Sequence, residues 1–143
     1  MPDYTVTELY IYKKRLAVKQ IPDDIHLYTK LIKLDCRDNN ITQLNNLPPG
    51  LKILYCSNNY ITELDNLPYG LETLWCNTNN ITQLDNLPIG LKGLSCNDNK
   101  ITQLDNLPLN LKELYCYNNR ITQLDNLPRC LEILDCNDNK ITQ

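Results

Sequence analysis

Nothing in this sequence approaches eighteen consecutive apolar residues, so a membrane-spanning helix is not expected. The opening stretch MPDYTVTELY lacks the charged segment and apolar run of a secretory leader, and the expected compartment is the cytoplasm. Cations are not in excess either. Lys and Arg total 14 against 17 Asp and Glu, a net charge of -3. With a pI near 5.1 the chain has no overall attraction for phosphate backbones, and nucleic acid is not an expected partner. Histidine is nearly missing. His26 stands alone, so a cysteine nucleophile would have no evident base, and no catalytic residue is assigned. The seven cysteines include no CxxC pair of the kind zinc sites use, and neither a metal nor another cofactor is expected. What is present is a soluble globular composition, 42% hydrophobic and 22% charged, at a length of 143 residues that suits one domain.

The dominant positive feature is repetition. The phrase ITQLDNLP begins at Ile81, Ile101 and Ile121, with near copies at Ile41 and Ile61, a spacing of 20 residues. Self-similarity at such a fixed period is the signature of a solenoid. One repeat reads Leu51, Leu54, Cys56, Asn59, Ile61, Leu64, Leu67 and Pro68, or LxxLxCxxNxIxxLxxLP. Copies begin at Leu31, Leu51, Leu71, Leu91 and Leu111, and a sixth, at Leu131, stops after ITQ. Residues 31–143 therefore hold five full repeats and one truncated repeat of a single structural domain.

The chemistry of the phrase predicts its geometry. In LxC the alternation has period two, so Leu54 and Cys56 point one way from a short strand and Tyr55 the other. Strands of successive coils then stack in parallel, roughly 4.8 Å apart. Each inward side chain meets its counterpart in the next coil, so one continuous core forms that no single coil could form alone. Cys36, Cys56, Cys76, Cys96, Cys116 and Cys136 occupy one phase of the repeat and are expected to be small buried hydrophobes in a column, not disulfide staples. Cys130 falls outside that column.

Asn39, Asn59, Asn79, Asn99, Asn119 and Asn139 form a second column where the chain leaves the strand. An inward amide there satisfies backbone groups of its turn and of the neighbouring coil. Pro48, Pro68, Pro88, Pro108 and Pro128 suit an extended, polyproline-like return segment on the outer side, because only about ten residues remain per coil, too few for a crossover helix. Gly50, Gly70, Gly90 and Asn110 share a column expected to be a left-handed turn position. Asp65, Asp85, Asp105 and Asp125, each followed by NLP, suit turns in which the carboxylate accepts backbone amides, with a calcium ion as the other reading.

With Cys in place of the third leucine, LKILYCSNNYI and its siblings match LxxLxLxxNxL, and over residues 31–143 the chain resembles the leucine-rich repeat family. The short repeat and its LP step are similar to the twenty-residue subtype of bacterial effector proteins. Cys in the strand together with LDNLP is similar to repeat proteins of giant DNA viruses of amoebae, which would make the compartment a host cytoplasm. The resemblance implies a β-rich solenoid, a right-handed superhelix with a parallel sheet on its concave face and extended or short 3-10 segments on its convex face. It implies a non-enzymatic protein-protein interaction scaffold. Some related effectors join such repeats to a ubiquitin ligase domain, for which this chain has no residues left, so that alternative makes it a targeting module of a larger protein.

Both ends depart from the pattern. Val6, Leu9, Ile11, Leu16 and Ile21-Pro22 reproduce the repeat spacing with one residue missing, so residues 1–30 are expected to form a degenerate capping repeat and a short connector. Pro22, Asp23 and Asp24 suit the start of a helical turn there. At the other end the strand around Leu134 to Cys136 would have an open edge, covered in a two-fold homodimer or left ragged.

A protein partner would meet the variable columns beside the strand. The expected anchors are Ile53, Tyr55, Trp75, Tyr115 and Tyr117, because aromatic side chains bury a large area with few rotors. Gly93 and Ser95, both small, should leave a dip between Trp75 and Tyr115, with Arg37, Glu113 and Asp135 at the rim. The alternative is that these rings only stabilise the sheet across strands.

Overall fold

In the computed structural model, residues 2–11 and 18–142 are described. The Leu-x-Cys segments form six strands of three residues each: β2 (Lys33–Asp35), β3 (Ile53–Tyr55), β4 (Thr73–Trp75), β5 (Gly93–Ser95), β6 (Glu113–Tyr115) and β7 (Ile133–Asp135). A seventh, β1 (Glu8–Tyr10), precedes them. All are parallel and pair in sequence order in one sheet, with Leu34, Leu54, Leu74, Leu94, Leu114 and Leu134 in register. The fold is a β-solenoid in which one strand per coil builds the sheet and an extended arm returns the chain to the next coil. Among the described residues the only helix is a 3-10 turn at Asp23–Leu27. No helix of the described residues is long and apolar enough to cross a membrane.

The inward set is sealed. Leu51, Leu54, Cys56 and Ile61 are all 0% exposed, and their equivalents through Ile121 are at most 1% exposed. Val6, Leu9 and Ile11 pack half-buried on the same core, and β1 pairs with β2. Leu16 lies outside the described residues.

The turns differ in three ways from the sequence expectation. First, the glycines at positions 50, 70 and 90 have no positive φ, and neither has Asn110. This column lies inside a tight turn closed by a hydrogen bond from the Leu51 N–H to the Pro48 carbonyl, repeated down the stack. Such a turn needs no left-handed residue when both central positions have negative φ, which is why Asn110 and Cys130 occupy it freely. Second, the prolines that open these turns are buried and do not line the outer surface. Third, the left-handed positions are Asn46, Asn66, Asn86, Asn106 and Asn126, with φ near 58° to 60° at most of them, and a second series at Asp38, Asn58, Thr78, Asp98, Asn118 and Asp138. Asn tolerates this region better than any residue but Gly. Among the described residues no backbone amide donates to Asp65, Asp85, Asp105 or Asp125; Asp65 instead accepts from the Asn86 side chain at 3.2 Å. The turn is made by the backbone of the asparagine, not by the carboxylate.

Candidate functional site

The interior columns are fully committed to structure. Asn59 Nδ2 donates to the carbonyls of Cys36, Cys56 and Ser57, at 3.0, 3.0 and 3.2 Å, while its Oδ1 accepts the Ile41 N–H at 2.9 Å. One amide thus ties two coils together, and Asn79, Asn99, Asn119 and Asn139 repeat the bonds. Asn39 binds the Ile11 carbonyl and the Val18 N–H in the same way. Burial pushes the thiols of Cys36, Cys76 and Cys116 up to about 12 and those of Cys56 and Cys96 well above the usual value. At neutral pH these are protonated thiols, the form that neither attacks substrates nor binds metal. Among the described residues no cluster of three or more His, Cys, Asp or Glu is placed to hold a metal. His26 sits in the 3-10 turn, its Nδ1 2.8 Å from the Asp23 carbonyl oxygen.

The outward face of the sheet is different. Strand alternation turns Ile53, Tyr55, Trp75, Glu113, Tyr115 and Ile133 away from the core, and Trp75 is 40% exposed. Tyr55 and Trp75 occupy the same register on β3 and β4 and stack at 4.4 Å, with 22° between their planes. Next to this stack lies a hollow of about 210 Å³ lined by Thr73, Trp75, Lys92, Gly93, Leu94, Lys112, Glu113 and Tyr115. Its floor exists because Gly93 has no side chain, and a Cβ there would meet nothing within 4 Å. Ser95, expected to share the dip, does not line it: it is buried, its hydroxyl donating to Asn77 Oδ1 at 2.8 Å. Tyr117 lies beyond the hollow on the same face, and Asp135 is half-buried at the last strand.

Arg37 and Asp35 are bound to each other. Arg37 Nε and Nη2 donate to the two carboxylate oxygens at 2.9 and 2.7 Å. Burial would raise the Asp35 carboxyl, but the hydrogen bonds from Arg37 outweigh it and hold the carboxyl below its ordinary value.

Two other surface features were not singled out by the sequence. A hollow of about 240 Å³ lies between return arms, lined by Thr62, Glu63, Asp65, Thr82, Gln83 and Asp85 among others. Smaller copies of it recur between the neighbouring arms, so it reflects the spacing of coils rather than one built site. At the tight turns Tyr69, Ile89 and Leu109 are 79%, 55% and 75% exposed in adjacent coils. Their common phase in the repeat was the signal available.

A family model described as Leucine Rich repeats (2 copies) matches residues 49–89, 89–129 and 109–143. The chain belongs to the leucine-rich repeat family. Among solved structures, this leucine-rich repeat chain is similar to the leucine-rich repeat domain of a Shigella effector, at 32% identity and a TM-score of 0.83 over 96% of its length. It is similar to YopM from Yersinia enterocolitica at 31% identity and a TM-score of 0.81 over 94%. The functional domain of InlJ from Listeria monocytogenes, described as including a cysteine ladder, is 37% identical over 94% with a TM-score of 0.79. The chain spans 61% of the Shigella chain and 31% of each of the other two. Comparison with curated protein sequences gives no match.

Proposed function

We propose that this leucine-rich repeat solenoid is a non-enzymatic scaffold that binds a protein partner on the outward, concave face of its sheet, centred on the hollow at Gly93. The observation that supports this most is Gly93 itself. Glycine weakens a strand, and inside one it commonly marks the close approach of a ligand or another backbone. Here none of the described residues makes that approach, since a Cβ at Gly93 would meet nothing within 4 Å. Ile53, Tyr55, Trp75, Tyr115 and Tyr117 would anchor the partner, with Glu113, Arg37 and Asp135 around them. The cross-strand stack of Tyr55 on Trp75 accounts for those two rings as sheet stabilisers, but not for the hollow beside them. In this reading residues 1–30 cap the stack, and the chain is the targeting part of a longer effector-like protein working in a cytoplasm.

A photoreactive benzoylphenylalanine placed at position 93 tests the site. Adducts with a partner at position 93, absent from position 102 on the return arm and lost with Trp75→Ala or Tyr115→Ala, are the expected result. Adducts confined to position 102, or to position 69 on the exposed turn edge, would move the contact off the sheet.

Self-association has its own observation. Leu131, Leu134, Cys136 and Ile141 are half-buried, whereas Leu111, Leu114, Cys116 and Ile121 are 0% exposed. Pairing of two copies through β7 would cover them, as would a further coil of a longer protein. Sedimentation that gives a monomer at high micromolar concentration removes the homodimer.

A further inference from the structure

Four residues share one register across the sheet: Tyr55 on β3, Trp75 on β4, Ser95 on β5 and Tyr115 on β6. Three of them carry rings, and the row lacks a ring at its third place. Tyr55 covers one side of Trp75 with ring centres 4.4 Å apart, close to the roughly 4.8 Å between neighbouring strands. On its other side Trp75 borders the hollow, which Gly93 and Tyr115 also line. Ser95, which stands where the next ring of the stack would come, is buried and bonded to Asn77 instead.

The width of this gap follows from the sheet. One strand separates β4 from β6, so their backbones stand roughly 9.6 Å apart, twice the spacing of neighbouring strands. Offset-stacked rings approach to about 4.5 Å between centres, so a ring stacked on both Trp75 and Tyr115 needs those two about 9 Å apart. The gap has room for one planar ring. Its charges are settled within the chain. Lys92, Lys112 and Glu113 border the hollow. Lys92 binds Glu72 at 2.6 Å, which Lys52 also approaches at 3.4 Å, and Lys112 binds Glu132 at 2.8 Å. The Lys112 ammonium is raised above its ordinary value first by the Glu132 hydrogen bond, with the Glu113 charge adding to it. Three cations and three carboxylates thus offset one another, and a charged occupant would disturb pairs that an uncharged one leaves intact.

We propose that the hollow receives one uncharged aromatic side chain of the protein partner, a phenylalanine or a tyrosine, which lies above Gly93 between the Trp75 and Tyr115 rings as the missing member of the row. Both faces of that ring leave water together, the condition under which an aromatic anchor contributes most to an interface. Gly93 admits it, because a larger side chain there would rise into the same open space. The inference rests on the sheet-face reading above and adds the chemistry of the occupant.

Trp75 is the only tryptophan, so its fluorescence reports on the hollow directly. Four capped peptides, Gly-Ser-X-Ser-Gly with X as Phe, cyclohexylalanine, Arg or Glu, are titrated to millimolar concentration against the full chain. Cyclohexylalanine has the carbon skeleton of phenylalanine but is neither flat nor aromatic. The Phe peptide is expected to change the emission and to bind about fivefold or more tightly than the other three. Tyr115→Leu should narrow its lead over the cyclohexylalanine peptide by about twofold or more, and Gly93→Leu should abolish its binding. A tenfold rise in salt should change it by less than about twofold, because no charge is matched. Equal binding of the cyclohexylalanine peptide, tighter binding of the Arg or Glu peptide, or no response to the Phe peptide each overturns the proposal. So does an unchanged lead in Tyr115→Leu, binding that survives Gly93→Leu, or a larger loss with salt. Adenosine that binds more tightly than the Phe peptide overturns it too, since the slot would then suit a nucleobase. Partner adducts at position 93 alongside any of these results leave the sheet-face reading standing, whereas their absence removes both.

Discussion

Leu74 and Trp75 are neighbours in β4, yet they obey different rules. Leu74 is 0% exposed and faces leucine in the coils on either side, whereas Trp75 is 40% exposed, in a column that reads Asp35, Tyr55, Trp75, Ser95, Tyr115 and Asp135. An inward side chain packs against its own counterpart one coil away, so its size is set by its neighbours. An outward one meets solvent or a partner and is free to differ. The solenoid therefore separates stability from recognition within two consecutive residues.

The largest test of this division is pH. The thiols of Cys36, Cys76 and Cys116 stand at about 12 in the fold and burial holds those of Cys56 and Cys96 well above the usual value, while an unfolded cysteine ionises at about 8.5. Their folded values are raised, so their contribution is complete below about pH 8.5 and is lost as pH climbs toward the folded value. The loss is about 1.4 kcal/mol per pH unit for each fully buried thiol, which adds down the column. The urea midpoint should fall steeply from pH 8 to 10.5, with labelling before unfolding confined to the exposed Cys130 and the half-buried Cys136. A flat midpoint would mean that the thiols are not sealed.

Substitution within β4 comes next. Leu74→Ala should cost about 2 to 5 kcal/mol in urea unfolding. Trp75→Ala should cost only about 1 kcal/mol, the loss of its stack on Tyr55. The reverse order would break the comparison. Asn79→Ala should cost about 1 to 3 kcal/mol, because the Ile61 N–H and the Cys56 and Cys76 carbonyls lose a partner in a dry interior. The smallest effect has the opposite sign. Thr78 has φ of 52°, a region that suits a branched residue badly, and its column mates are Asp or Asn. Thr78→Asn should raise stability by about 0.5 to 1 kcal/mol, read as a higher melting temperature.

The strands and their register were legible because two periods coincide in the sequence, 2 within LxC and 20 between copies. The hollow was legible too at Gly93, between Trp75 and Tyr115, but not at Ser95, which is buried away from it. The turn chemistry was misread at the glycines. Glycine suggests a left-handed position, but Asn110 and Cys130 in the same column already pointed to a turn with negative φ. The unbroken asparagines at 46, 66, 86, 106 and 126 were the better signal. Which lysines reach which acids was not readable, since Lys92 turns back to Glu72 while Lys112 turns forward to Glu132.

By itself the sequence determined which side of each strand is buried, because a side-chain period of two leaves no other register once one set is apolar and the coils repeat. Only the tertiary structure decided that Ser95 is hidden while Gly93 opens a hollow, and that Lys92 and Lys112 stand beside Glu113 there. Those outcomes depend on side chains one coil away in space and 20 residues away in the chain, whose rotamers are set by the charges and rings they meet after stacking.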